Sequence, residues 1–189
     1  MFIDFLTLML INMVVALVLF ALYMAFFFDK NTKKMIPGFL MTGFIALVTG
    51  FRTIFTWPLP GSNNILFGEL TVMLGALFFM AGLAILLDWD LITVGIFSLF
   101  TGAVAVLLGV RILNMNLTKE PLIAAAGYIL TGATAILTLP ALALPKLKWL
   151  RWLTALAAIG SAAIWALVGF PSYWAHIEAF SKWPPGGPK

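Results

Sequence analysis

The sequence predicts an all-α, polytopic integral membrane protein with six transmembrane helices. Apolar residues make up 63% of its 189 residues and charged residues only 10%, whereas soluble domains have about 45–50% and about 25% respectively. The apolar residues also form six runs that are long enough to cross a bilayer, which requires about 20 residues. These runs cover residues 4–28, 36–57, 65–87, 91–113, 121–144 and 149–170.

Short connections between the runs indicate the orientation. Lysine and arginine concentrate in the loops that follow the first and fifth runs, and short loops rich in these residues remain in the cytoplasm. We therefore predict that both termini are extracytoplasmic and that the protein is a multi-pass protein of the cell membrane. The six cations of these loops are Lys30, Lys33, Lys34, Lys146, Lys148 and Arg151.

An internal repeat predicts three helical hairpins in a pseudo-three-fold arrangement. The stretches TGFIALVTGFR and TGAVAVLLGVR end at Arg52 and Arg111, 59 residues apart, and the sixth run ends similarly at Gly169 and Pro171. Repeats related by an axis along the membrane normal are common in transport proteins. The predicted six-helix domain covers residues 1–170, with hairpins at 1–57, 65–113 and 121–170, followed by an extracytoplasmic interfacial tail at 171–189.

Helix packing is an alternative explanation of the repeat. Glycines recur at seven-residue spacing, and small residues at such a spacing allow helix backbones to approach closely. Similar packing demands can therefore produce similar segments without true symmetry. The glycines concerned are Gly43, Gly50, Gly75, Gly82, Gly95, Gly102 and Gly109.

Charged residues cluster at the predicted extracytoplasmic ends of the runs. Asp4, Glu69 and Glu120 each open an odd-numbered run, and Arg52 and Arg111 close two even-numbered runs. Ionisable residues within membrane spans are expensive and mark functional sites, so these five are candidate pore or solute-binding residues. Arg52 and Glu69 are placed to pair across the turn between them. The alternative is a structural clamp, or an arginine that reaches the lipid headgroups.

Trp165 and His176 complete the candidate site. Trp165 lies within the sixth run, where it is either a packing residue or a pore gate. His176, the only histidine, lies in the aromatic tail. It is either an interfacial structural residue or a pH-sensitive gate, because histidine titrates near neutral pH. The segment 172–182 is interpreted as a short amphipathic helix across the rim.

Motifs for catalysis and cofactor binding are missing from the sequence. It has no cysteine and one histidine, which excludes thiolate chemistry and a multi-histidine metal site. It also has no P-loop and no GxGxxG motif. We predict no cofactor, no metal and no nucleic-acid partner, and the pattern favours a protein that is not an enzyme.

Three stretches resemble an uncharacterised prokaryotic membrane family, domain of unknown function 981. They are FTWPLPGSNNILFGE (55–69), RILNMNLTKEP (111–121) and SYWAHIEAFSKW near the end of the chain. The resemblance covers nearly the whole chain and implies no activity.

A fainter similarity is to the amide and urea channel family (AmiS/UreI), over residues 67–102 and 152–174. That resemblance implies six helices per protomer, arranged as three hairpins around a pore, and hexameric rings. The sixth run has Ile159, Gly160 and Ser161 and no acidic residue within its span. Urea selectivity is therefore not implied.

These observations favour a channel or facilitator for a small polar solute, with a narrow pore lined by small and aromatic residues and an extracytoplasmic polar vestibule. Its expected partners are the lipid bilayer and either further copies, as a homo-oligomer, or the other subunits of a membrane complex. Two other functions remain open. The protein can be a structural or accessory subunit of a membrane complex, for example a respiratory one, or a membrane protein that binds lipid headgroups.

Overall fold

Six long apolar helices form the whole of the fold that a computed structural model describes, over residues 5–30 and 32–181. Each is long and apolar enough to cross a membrane, and the described residues contain no strand. The predicted all-α membrane class is confirmed. The helices are α1 (Leu6–Leu22), α2 (Ile36–Thr56), α3 (Leu70–Leu86), α4 (Ile92–Met115), α5 (Pro121–Ala143) and α6 (Lys148–Phe180).

Two π-helical turns extend the spans. Tyr23–Phe27 continues α1, and Asn64–Glu69 leads into α3. A π-turn inserts one extra residue into the helical ladder and is frequent at functional sites. A 3₁₀ turn at Thr32–Met35 precedes α2.

Helices α2 and α4 end alike, which extends the repeat seen in the sequence. The residue after each helix, Trp57 and Asn116 respectively, adopts a left-handed conformation with φ of 47° and 50°. Its N–H donates to the carbonyl four residues earlier, Thr53 or Ile112. This left-handed cap satisfies a carbonyl that the helix end leaves unpaired.

The helices form a closed ring in which the last packs against the first. The most extensive interfaces join α4 to α5 and α2 to α3, followed by α1 with α6 and α5 with α6, whereas α1 with α2 and α3 with α4 meet much less extensively. Helices within the predicted hairpins 1–57 and 65–113 thus contact each other weakly, whereas those of the hairpin 121–170 share an extensive interface. The pseudo-three-fold arrangement and the orientation of the termini remain predictions.

Glycines permit the tight interfaces, as their spacing predicts. A Cβ on Gly102 of α4 would lie 2.6 Å from the carbonyl oxygen of Gly132 on α5, and the reverse is equally true. A Cβ on Gly75 of α3 would lie 2.8 Å from the backbone nitrogen of Leu47 on α2. Backbones at this separation gain van der Waals contact that larger residues would prevent.

Two ends of the bundle are distinguished by their loops. The end that carries the α1–α2, α3–α4 and α5–α6 connections is called the lysine end, where Lys33 pairs with Asp88 and Arg151 pairs with Asp29. The opposite end, with Arg52 and the loop after α4, is called the rim end.

Helix α6 is longer than predicted. The predicted interfacial helix at 172–182 does not exist as a separate element, because α6 continues through Pro171 to Phe180. The Ser172 hydroxyl donates to the Val168 carbonyl at 2.7 Å beside the proline. With 33 residues at about 1.5 Å each, the helix is about 50 Å long, which exceeds a hydrocarbon core of about 30 Å.

Candidate functional site

A cavity of about 70 Å³ lies inside the bundle toward the lysine end. Helices α1 to α5 all contribute to its wall, which consists almost entirely of apolar carbon. Four aromatic rings contact one another along one side, with centroid distances from 5.6 to 6.5 Å. These rings belong to Phe20, Tyr23, Phe39 and Phe78.

A second cavity, of about 20 Å³, lies nearer the rim end. Its wall includes Met9 and Met13 of α1, Phe67 of the second π-turn, and Trp165 of α6. Thr131 of α5 lines both cavities. The two cavities are therefore neighbours along the bundle, separated at the level of Thr131.

Between the two cavities lies a cluster formed by the hydroxyls of Thr131 and Ser161 and the indole of Trp165, which is called the Thr131 junction. The Thr131 hydroxyl lies 2.6 Å from that of Ser161 and 2.8 Å from the Gly127 carbonyl oxygen. The Trp165 indole N–H donates to the Thr131 oxygen at 2.9 Å. All of these side chains are buried, so the junction is a satisfied polar group in an apolar interior.

Tyr128 links the junction to the second π-turn. Its ring lies 5.3 Å from that of Trp165, and its hydroxyl donates to the Leu66 carbonyl at 2.8 Å. Leu66 belongs to the π-turn Asn64–Glu69. The tyrosine hydroxyl thus pairs a backbone carbonyl of an irregular turn, as burial in a membrane requires.

The chemistry of the larger cavity suits an uncharged molecule. Ser98 and Thr134 line it, but their hydroxyls donate to the carbonyls of Ala135 and Leu130. Their oxygen lone pairs remain as weak acceptors, and no side chain of the wall carries a charge. An ion would lose its hydration there without compensation.

The predicted rim residues do not lie in either cavity. Arg52, Glu69, Arg111 and Glu120 are exposed, and neither ion pair of the described residues includes them. The expected Arg52–Glu69 pair is thus not formed. Asp4 lies outside the described residues.

Trp165 and His176 have different surroundings. Trp165 is buried and contacts the Thr131 junction, where it both packs and lines the smaller cavity. His176 is half-buried on the extension of α6, and its ring meets Phe180 edge to face at 6.0 Å. The structure therefore brings only Trp165 of the predicted residues to the interior site.

Sequence reasoning missed several buried polar residues. The sequence places Arg151 among the loop cations, yet only 8% of its side chain is exposed. Asn12 is buried and donates to the Thr42 carbonyl at 2.9 Å, between α1 and α2. Polar residues within apolar runs were the available signal. Thr131, Ser161 and Tyr128 belong to the same group.

A surface groove of about 240 Å³ lies between α3 and α4, where the ring is loosely packed. Its lining, which includes Met80 and Phe97, has no charged residue. Leu77 and Val94 line both this groove and the larger cavity. The lining of the groove includes neither Arg52 nor Arg111, the residues that could bind a lipid headgroup. Among the described residues, no three His, Cys, Asp or Glu side chains are close enough to share a metal ion.

The fold and interior together define a six-helix membrane protein with two adjoining cavities. The chain belongs to a family of proteins of unknown function, DUF981, whose model matches residues 1–179. No curated protein and no solved structure matches the chain. The resemblance to the amide and urea channels therefore gains no support from these comparisons.

Proposed function

We propose that this protein is a passive channel or facilitator for a small, uncharged polar solute that moves along the bundle axis. The observation that carries this proposal is the pair of cavities that meet at Thr131. Selectivity in such a pore depends on its width and on the hydrogen-bonding groups that line it. Here the width is small and the wall is apolar, apart from a few hydroxyl oxygens.

The Thr131 junction would be the selective step. A solute that passes from one cavity to the other has to approach the Thr131 hydroxyl, which can exchange its partner Ser161 for the solute. The Trp165 indole, held by its bond to Thr131 at 2.9 Å, would limit the opening to small molecules. The exposed rim residues Arg52, Glu69 and Arg111 would form the polar vestibule.

Solute flux in liposomes tests this proposal. Purified protein would be reconstituted, and the swelling rates would be compared for water, ammonia, urea and glycerol. We expect at least one solute to move faster than in empty liposomes. Thr131→Val should slow it about two- to tenfold, since one lost hydrogen bond costs about 0.5–1.5 kcal/mol. Thr131→Ser should preserve it.

The vestibule has a separate test in the same assay. Arg52→Ala should reduce flux of the transported solute, whereas Lys34→Ala, which removes an exposed cation at the lysine end, should not. Flux equal to that of empty liposomes for every solute would contradict the channel proposal.

A second candidate function is that of an accessory subunit in a membrane complex. The specific observation in its favour is the extension of α6, where Trp174 and Ile177 are 78% and 66% exposed. Apolar side chains beyond the membrane span are the kind that a partner buries. Co-purification of the same partner subunits from native membranes, together with no flux, would favour this function.

A further inference from the structure

We infer that Arg151 and Asp29 form a gate at the lysine end of the larger cavity. The inference rests on the proposed function, because a gate has a purpose only if molecules pass through the cavity. It names a closing element for the same pathway. The residues that carry it are Tyr23, Phe28 and Asp29 near the end of α1 and Arg151 in the first turn of α6.

The first observation is the burial of Arg151. Its guanidinium donates to the Asp29 carboxylate at 2.6 Å and lies 4.6 Å from the centre of the Phe28 ring. Only 8% of its side chain is exposed, against 58% for Asp29. A buried guanidinium held by one carboxylate and one aromatic face has two defined partners and few alternatives.

The second observation connects this pair to the cavity. Tyr23 lines the cavity and is 4% exposed, and its ring lies 5.7 Å from that of Phe28. Arg151 therefore contacts the ring of Phe28, and that ring contacts Tyr23 of the cavity wall. Tyr23 also begins the π-turn Tyr23–Phe27, a type of irregularity that is frequent at functional sites.

The third observation is the position of the pair in the ring. Asp29 and Arg151 are 122 residues apart, and they join the first helix to the last at the lysine end. Phe26 and Trp152 meet edge to face beside them, at 5.5 Å. Loss of the ion pair would free the end of α1 to move from α6 and carry Tyr23 away from the cavity.

Cysteine accessibility tests the gate without knowledge of the solute. The chain has no native cysteine, so Ser98→Cys provides a single reporter on the cavity wall. The probe is a small, membrane-impermeant methanethiosulfonate, added in turn to each side of oriented vesicles. In the otherwise native chain we expect slow modification from both sides.

Arg151→Gln and Asp29→Asn should each accelerate modification about tenfold or more from the lysine-end side alone. Loss of a hydrogen bond between charged groups changes a two-state equilibrium by at least that factor. The matched control is Lys33→Gln, which breaks the exposed pair with Asp88 at the same end and should leave the rate unchanged. The double exchange Asp29→Arg with Arg151→Asp should restore slow modification.

Unchanged rates in both variants would overturn the gate, as would equal acceleration from both sides, which indicates general loosening. Acceleration by Lys33→Gln would overturn it too. If the Arg151→Gln variant does not fold, the modification rate of the Asp29→Asn variant alone tests the gate. The rate does not depend on solute flux. Faster modification together with no flux of any solute would therefore show that the pair closes the cavity, while contradicting the proposed channel.

Discussion

Arg151 is predicted to be an exposed loop cation, but the structure places it in a buried position. It lies in the first turn of α6, where the helix dipole disfavours a cation, and it is nevertheless buried. The Asp29 carboxylate compensates both the burial and the dipole. No feature of residues 145–151 distinguishes this cation from Lys146 and Lys148, because the burial arises from the neighbouring end of α1.

A stability prediction follows from the unequal exposure of the two ion pairs. Asp29→Asn leaves the Arg151 charge buried without a carboxylate, and such losses cost about 3–5 kcal/mol in protein interiors. We expect about 2 kcal/mol or more, because Asp29 itself is 58% exposed.

Asp88→Asn is the matched control, since both side chains of its pair are more than 60% exposed. Exposed pairs contribute about 0–1 kcal/mol. Unfolding in mixed micelles would measure both variants, and equal destabilisation by the two would contradict the assignment of Arg151 as a buried charge.

Asn64 shows the limit of residue-level prediction in another way. Asparagine at the start of a helix commonly acts as an N-cap, whose side chain accepts from the first backbone N–H groups. In the structure its amide instead donates to the carbonyls of Leu59 and Gly61 and accepts from the Leu59 N–H. An asparagine here correctly indicates a hydrogen bond between the side chain and the nearby backbone. Which backbone groups it bonds depends on the conformation that the two prolines impose on the preceding turn.

At the scale of elements, hydropathy located the helices well. The predicted run 65–87 became the span Asn64–Leu86, and 121–144 became Pro121–Ala143. The bilayer determines the length and polarity of each spanning helix, so a short window of sequence is enough to recognise one. The π-turns were not predictable, because no residue type marks them, and neither was the continuation of α6 through Pro171.

Glycine packing yields a prediction at this scale. Gly102→Ala places a methyl group against the Gly132 carbonyl, whose oxygen would lie 2.6 Å from the new Cβ atom. The backbone cannot yield without separating α4 from α5. We expect a loss of about 1–3 kcal/mol, typical of overpacking.

Gly160→Ala is the control for this substitution. There the new Cβ would meet only the end of the Leu130 side chain, at 3.0 Å, which can rotate. Alanine also favours helix over glycine by about 1 kcal/mol, so the control should be neutral or stabilising. A thermal unfolding series in detergent compares the two variants, and similar effects would show that the interface is less tight than described.

At the scale of the whole molecule, the sequence predicted the class and left the arrangement open. The glycine stripes indicated tight helix pairs, but which helix meets which depends on surfaces that are distant along the chain. Likewise, the interior site depends on the meeting of Thr131, Ser161 and Trp165 from α5 and α6. Their separation of about 30 residues in sequence carries no signal of contact.

The predicted orientation is testable with the cysteine-free chain. Ser62→Cys lies in the exposed loop of the rim end, and Pro145→Cys lies in an exposed loop of the lysine end. If the lysine loops are cytoplasmic, an impermeant maleimide should label only Ser62→Cys in intact cells. Labelling of Pro145→Cys alone would reverse the orientation, and lysed cells should label both.

The closure of the ring by α1 and α6 has a consequence for biogenesis. Ribosomes add about 5–20 residues per second, so Asp29 is synthesised roughly 6–24 seconds before its partner Arg151, 122 residues later. During that interval, the face of α1 that α6 will cover is open to lipid or to the insertion machinery. The seam between the two helices is thus the last part of the ring that translation can complete, and a nascent chain that is released too early lacks it entirely.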